Sequence, residues 1–294
     1  MTVVWRCRFN RRIVPRLCVR FGLPGLMVLL GLLTGCFGRA AARPADRLPY
    51  GVFIGLEPER RSQLLAYQTV VIDATDYTRD DIATLRQAGV CVYTYLNIGS
   101  VETFRTFYPK HRAHVLRPYR NWPDEYWVDV TRAAWQDQVQ TAAAGFSDKG
   151  VDGFFLDNAD VYDEYRTPAV FDGLTAMVRR VGAFGKPILI NGGSRFVTEA
   201  VLDASEPLNE ITSVNQECVW TAIDFENGRT VRQTPEATAY FQAYLERCTA
   251  AGLSVYLTEY DSSGDAALRA AVDDYCAPRR MVWYVASDPA LDGR

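Results

Sequence analysis

The strongest constraint on the fold of this chain is a rhythm that starts at Tyr50, in which short apolar runs alternate with segments of helical periodicity. The runs occupy residues 50–55, 70–74, 90–97, 151–157, 187–191, 211–217, 253–259 and 281–286. They are short, and many are rich in β-branched or aromatic residues, as strands covered on both faces are. Between them, residues 80–88, 133–146, 169–184, 236–250 and 266–275 repeat apolar side chains at helical spacing, and several end near glycine, where helices commonly stop. Strands joined by helical crossovers pair in parallel. Eight of them predict an α/β chain folded as a single-domain (β/α)8 TIM barrel over residues 50–294. An open doubly wound sheet is the competing architecture, but no glycine-rich phosphate loop follows the first strand.

A barrel of this kind carries its chemistry at the C-terminal ends of its strands. Residues 149–160 show what that means here: a glycine-bounded apolar run, Val151 to Leu156, breaks into Asp157-Asn158-Ala159-Asp160. Asp157 therefore sits where a strand delivers a carboxylate; the competing role is a cap held by backbone donors. Other strands end in Asp73 and Asp76, in Asn97 with Ser100 and Glu102, in Asn191, in Asn215 with Glu217, and in Glu259 with Tyr260. Amides and acids suit sugar hydroxyls, and aromatic rings suit sugar faces. The candidate substrate-binding set is Asp73, Asp76, Tyr95, Asn97, Glu102, Asp129, Asn158, Asn191, Asn215, Trp220, Glu259 and Tyr260, although core packing is the commoner role of any single aromatic. The longest connection, residues 101–135, holds a short strand candidate at 126–130 and has the length of a binding surface.

Cleavage of a glycosidic bond needs one carboxyl group that donates a proton and another that stays charged. Asp157 and Glu217 end the fourth and sixth strands, which face each other across the mouth of a barrel. Cys218, Val219 and Trp220 follow Glu217, an apolar setting that predicts a raised pKa and a proton-donating role. Asp157, among polar neighbours, is then the nucleophile.

The motifs at 71–73, 95–102, 127–130, 150–157 and 214–217, taken in order, resemble those of glycoside hydrolase family 114, barrels of endo-α-1,4-polygalactosaminidase type. The resemblance runs from about residue 50 to 286. It implies a catalytic aspartate at Asp157, a catalytic glutamate at Glu217, an α-1,4-linked galactosamine polymer cut internally, and no cofactor. One departure is the run Cys218-Val219-Trp220-Thr221 after the glutamate. The alternatives are a hydrolase of another α-glycan and a non-catalytic polysaccharide-binding lipoprotein on the same barrel.

The N-terminus has a different logic. Six arginines and no acid precede or flank an apolar core at 23–33, too short to span a bilayer comfortably. Leu33-Thr34-Gly35-Cys36 resembles the lipobox of bacterial lipoproteins. Residues 1–35 are thus expected to be a lipoprotein signal peptide, Cys36 the lipidated residue, and 36–49 a tether, which places the protein outside the cytoplasm on a bacterial membrane. An ordinary signal cleaved within 38–45 and an uncleaved anchor are the alternatives. Without the leader, 26 basic residues face 35 acidic ones, a net charge of −9. Nucleic acid is a poor partner for such a surface, whereas a neutral or cationic amino-sugar polymer suits it. Beyond Cys36 the cysteines are Cys91, Cys218, Cys248 and Cys276, which permit three pairings; Cys248 and Cys276 fall at the ends of successive helices, where neighbours meet. No metal-ligand spacing occurs. The only histidines, His111 and His114, are expected to be solvated loop residues, which argues against a Ser-His-Asp triad.

Overall fold

The computed structural model describes residues 47–293; the leader, Cys36 and residues 37–46 lie outside the described residues. With strands numbered in chain order, β1 (Leu48–Phe53), β2 (Tyr67–Ile72), β3 (Cys91–Asn97), β7 (Gly153–Asp157), β8 (Ile188–Asn191), β9 (Ile211–Glu217), β12 (Ser254–Tyr260) and β13 (Val282–Ala286) form one sheet in that order. Every neighbouring pair is parallel. β13 returns beside β1, so the sheet curls into a nearly closed (β/α)8 barrel. Helices α1 (Arg79–Gln87), α2 (Ala133–Lys149), α3 (Pro168–Gly182), α4 (Pro235–Ala250) and α5 (Ala266–Arg279) are crossover helices between barrel strands.

Local chemistry explains the boundaries. Thr78 and Asp81 form a reciprocal capping box on α1, and Thr167 and Thr234 cap α3 and α4, each followed by proline in the first turn. The last helix runs past the expected end at residue 275, through Pro278 in its final turn, and stops where Arg280 turns left-handed.

Two small sheets were not read from the sequence at full size. The long connection after β3 forms an antiparallel sheet of β4 (Ser100–Glu102), β6 (Trp122–Val128) and β5 (Val115–Tyr119), and a hairpin of β10 (Thr221–Asp224) and β11 (Arg229–Arg232) follows β9. The period-2 pattern in these segments is masked because only part of each faces a core: β5 alternates little beyond intermediate and exposed positions.

Side-chain alternation divides the barrel strands between two cores. On β7, Phe154 and Leu156 pack outward against the helices, whereas Phe155 joins Tyr50, Val71, Tyr95, Leu189 and Tyr260 in the barrel interior. Burying each such ring contributes about 1.5–3 kcal/mol. Gly153 belongs to the interior face, and a Cβ there would lie 2.3 Å from the Tyr93 ring, so the absence of a side chain lets that tyrosine fill the barrel. The same alternation aims Asn97, Asp157, Asn191, Asn215, Glu217 and Tyr260 toward the axis.

Two expectations are corrected by the packing. His111 is not solvated: it is fully buried and lies edge-on to Trp135, with ring centroids 5.4 Å apart. Burial pushes its pKa down. All four described cysteines are free thiols, and Cys248 and Cys276 are each buried in the outer core instead of being bonded to each other.

Candidate active site

The site is built from one amide and two carboxylates. Asn191, at the tip of β8, donates from Nδ2 to Asp157 Oδ1 at 2.9 Å and to Glu217 Oε1 at 2.8 Å. Its own Oδ1 accepts from Asn215 Nδ2 at 2.7 Å, and Asn215 Oδ1 in turn accepts from Thr258 at 3.1 Å and Tyr50 at 3.3 Å. Asn191 therefore cannot swing away without breaking a buried chain of hydrogen bonds, and its two amide protons hold the carboxylates on either side of it. Tyr260 completes the arrangement by donating its hydroxyl to Glu217 Oε2 at 2.6 Å.

Burial and hydrogen bonding shape the electrostatics of the pair. Burial raises the Asp157 carboxyl well above its ordinary range, and the nearby Glu217 charge pushes it further. Glu217 accepts from both Asn191 and Tyr260, whereas the backbone N–H groups of Val219 and Trp220, the neighbours expected to desolvate it, are turned toward Glu259. The groups that surround Glu217 in space are thus Asn191 and Tyr260, not its neighbours in the chain.

A third carboxylate enters from β6 and was missed in the sequence. Glu125 Oε1 accepts from Asn97 Nδ2 and Asn158 Nδ2, each at 3.0 Å, and from the Ser100 hydroxyl. Burial, reinforced by Glu102, lifts its pKa to about 7. The register of the small sheet sets Glu125 directly opposite Glu102, a repulsive pairing relieved because Arg105 binds Glu102 at 2.9 Å and Asp73 at 2.6 Å. Tyr95 also donates to Glu102, at 3.3 Å. Asn158 adopts φ 66°, a left-handed conformation that asparagine tolerates, and this turns its amide toward Ser100 at 2.8 Å. Asp160, raised by burial to about 6, accepts from the Gly193 N–H at 3.0 Å. No local signal marks Glu125 as functional; only the pairing of β4 with β6 brings it to the mouth.

Asn97, Asn158, Asn191, Asn215 and Tyr260 join Asp157 and Glu217 in one network, in which Asn158 Nδ2 lies 3.5 Å from Asp157 Oδ2, while Tyr95, Glu102 and Asp73 form a neighbouring cluster around Arg105. Four other candidates join neither. Glu259 is fully buried on the outward-facing side of β12. Trp220 packs edge-on against Tyr275 of α5, with centroids 5.1 Å apart, outside the barrel. Asp129 is bound by Thr131 and Arg132 in its own turn. Asp76 is exposed on the loop after β2. Strand-end position alone cannot separate these from mouth residues, because it ignores which face the side chain takes.

Above the carboxylates, the tips of the two hairpins approach each other: Trp122 of β6 and Phe225, in the β10–β11 turn, meet with ring centroids 5.8 Å apart. Both rings remain exposed. Among the described residues, no group of three or more His, Cys, Asp or Glu side chains is arranged to hold a metal ion.

Residues 43–293 match the sequence profile of glycoside-hydrolase family GH114. The fold is similar to that of the glycoside hydrolase domain of PelA from Pseudomonas aeruginosa, with a TM-score of 0.70 and 18% identity over 84% of this chain and 96% of that one. It is also similar to Aspergillus fumigatus Ega3, solved in complex with galactosamine, with a TM-score of 0.63 and 18% identity over 88% of this chain and 98% of that one. An uncharacterised protein of Thermotoga maritima is 26% identical over 110 residues, which cover 35% of this chain and 34% of that protein.

Proposed function

The chain belongs to glycoside-hydrolase family GH114, and from that premise we propose that it is an endo-acting enzyme that cleaves an α-1,4-linked galactosamine-type polysaccharide with retention of configuration. That it is a glycoside hydrolase follows from the family. The observation that carries the finer reading is the Asn191 bridge. Two oxygens that hydrogen-bond one nitrogen at 2.9 and 2.8 Å are at most about 5.7 Å apart, a close approach that favours the roughly 5–5.5 Å spacing of retaining pairs. The galactosamine bound to Ega3 supports the sugar, and so does a mouth that gathers the carboxyl groups of Asp157, Glu217, Glu125 and Glu102, where the Arg105 guanidinium is already paired with Glu102 and Asp73.

In this mechanism Asp157 Oδ attacks the anomeric carbon, the glycosidic C–O bond breaks, and the leaving oxygen takes a proton from Glu217. Water then attacks the same carbon, returns its proton to Glu217 and frees Asp157. Burial raises the Asp157 carboxyl, and attack requires its ionised form. A 2-ammonium group sits on the carbon next to the reacting one, and a cation within about 4–6 Å lowers a carboxyl pKa by 1–3 units, so a galactosamine ring supplies the charge that ionises Asp157. The enzyme acts outside the cytoplasm, held to a membrane through a lipid on Cys36; what supports this is the leader and lipobox in the sequence.

The test is a pair of variants, Asp157→Asn and Glu217→Gln, assayed on galactosamine polymers with azide as an external nucleophile. Inactive variants that melt like the parent are expected. Azide should give an inverted adduct with Asp157→Asn and a retained one with Glu217→Gln on substrates with good leaving groups. Full activity in either variant refutes the pair, and the opposite stereochemistry exchanges the roles.

A further inference from the structure

We infer that Glu259 is a positioning residue for this reaction: its buried carboxylate clamps the turn that follows Glu217 and so holds the Glu217 carboxyl in register with Asn191 and Asp157. The inference rests on the proposed role of Glu217. Glu259 is completely inaccessible, and β12's alternation sends it to the outer face, away from any ligand in the mouth. What it meets there is the backbone of residues 218–221. Its Oε1 accepts from Val219 N at 2.9 Å and Trp220 N at 3.2 Å; its Oε2 accepts from Trp220 N at 3.2 Å, Thr221 N at 2.9 Å and Thr221 Oγ1 at 2.6 Å. Three successive N–H groups converging on one carboxylate form an anion-binding nest. Here the anion is part of the chain.

Cys218, directly after Glu217 and directly before the three donors, takes the left-handed φ of 59°. A non-glycine residue persists in that region only when its surroundings enforce it. The enforcement comes from both sides: Glu259 takes the turn's N–H groups, while Gln233 Nε2 donates to Cys218 O at 3.1 Å and Thr238 Oγ1 to Val219 O at 2.7 Å. The clamp also reaches the site by a second route. Thr221 Oγ1, which donates to Glu259, accepts from Tyr260 N at 3.2 Å, and Tyr260 is the residue whose hydroxyl binds Glu217. Among the described residues no lysine, arginine or histidine pairs with Glu259, so its burial is compensated by the turn alone. An apolar side chain in its place would leave the N–H groups of Val219, Trp220 and Thr221 without acceptors, so the carboxylate is what fixes the turn.

Glu259→Gln replaces one acceptor oxygen by a donor that faces other donors, which forces the turn to relax. In the full-length protein, kcat on the polymer that the parent cleaves should fall by about tenfold to a hundredfold with KM changed by less than about twofold, the signature of a misplaced reacting group in an intact binding surface. Iodoacetamide should at the same time alkylate Cys218 several times faster, with partly buried Cys91 as the internal reference in peptide mapping. A folded Glu259→Gln protein with parental kcat, or one that loses kcat while the ratio of Cys218 to Cys91 labelling stays unchanged, overturns the inference. If that variant does not fold, Thr221→Val removes only the bridging hydroxyl and should move both readouts in the same direction by a smaller factor; no movement in either has the same refuting force. Should the parent cleave no polymer at all, the reading of the enzyme fails, and the labelling ratio alone decides whether Glu259 holds the turn.

Discussion

Replacing Asn191 by alanine removes the one group that touches both carboxylates, and the consequence can be worked out from its contacts. Nδ2 donates at 2.9 Å to Asp157 and at 2.8 Å to Glu217, and a hydrogen bond to a charged acceptor contributes about 1.5–3 kcal/mol. That stabilisation acts on the ionised forms only. Its loss therefore pushes the Asp157 carboxyl, already raised by burial, higher still. The acidic limb of kcat/KM should move to higher pH, by about 1–2 units if the whole bond energy is lost at about 1.4 kcal/mol per unit. Stability pays a smaller toll: the Asn215 amide loses its 2.7 Å partner but keeps its oxygen bonded to Thr258 and Tyr50, a cost of about 1–3 kcal/mol for the unsatisfied donor. The assay is a pH profile of kcat/KM on the cleaved polymer beside a thermal melt. A folded Asn191→Ala protein whose acidic limb does not move would refute the claim that this amide sets the ionisation of the pair.

Glu125, Glu259 and Asp160 hold their protons at about 7, 7 and 6 in the folded protein, above the values of the unfolded chain, so folding takes up protons and these groups should make stability fall as pH rises from about 4.5 through about 7; melts across that range check the sign. Gly153→Ala should destabilise by about 1–3 kcal/mol in chemical denaturation, because its Cβ meets the Tyr93 ring at 2.3 Å. Activity on deacetylated polymer should exceed that on acetylated polymer and weaken with salt, as expected where charge holds the substrate; equal rates at all salt concentrations would remove the ammonium from the mechanism. Cys36→Ser should release the protein from membrane fractions and alter the mass of its mature N-terminus.

The sequence by itself determined the architecture and the identity of the central pair as candidates. Eight apolar runs became eight barrel strands within a few residues of their expected limits, since burial on both faces leaves a signal that does not depend on distant contacts. Asp157 and Glu217 stood out because each ends such a run, where a barrel strand delivers its side chain to the mouth. Some of the rest was present but unread: Glu259 shares the parity of Val255 and Leu257, which pack outward, so alternation along β12 already turned it from the mouth. Only tertiary structure decided what lay beyond parity. Glu125 reaches Asn97 and Asn158 because an irregular arm folds back over the barrel. Trp220 finds Tyr275 across two helical connections. Burial raises the Asp157 carboxyl, and Glu217 is bound by Asn191 and Tyr260, twenty-six and forty-three residues away in the chain, because desolvation and hydrogen bonding are set by whichever groups surround a carboxyl in space.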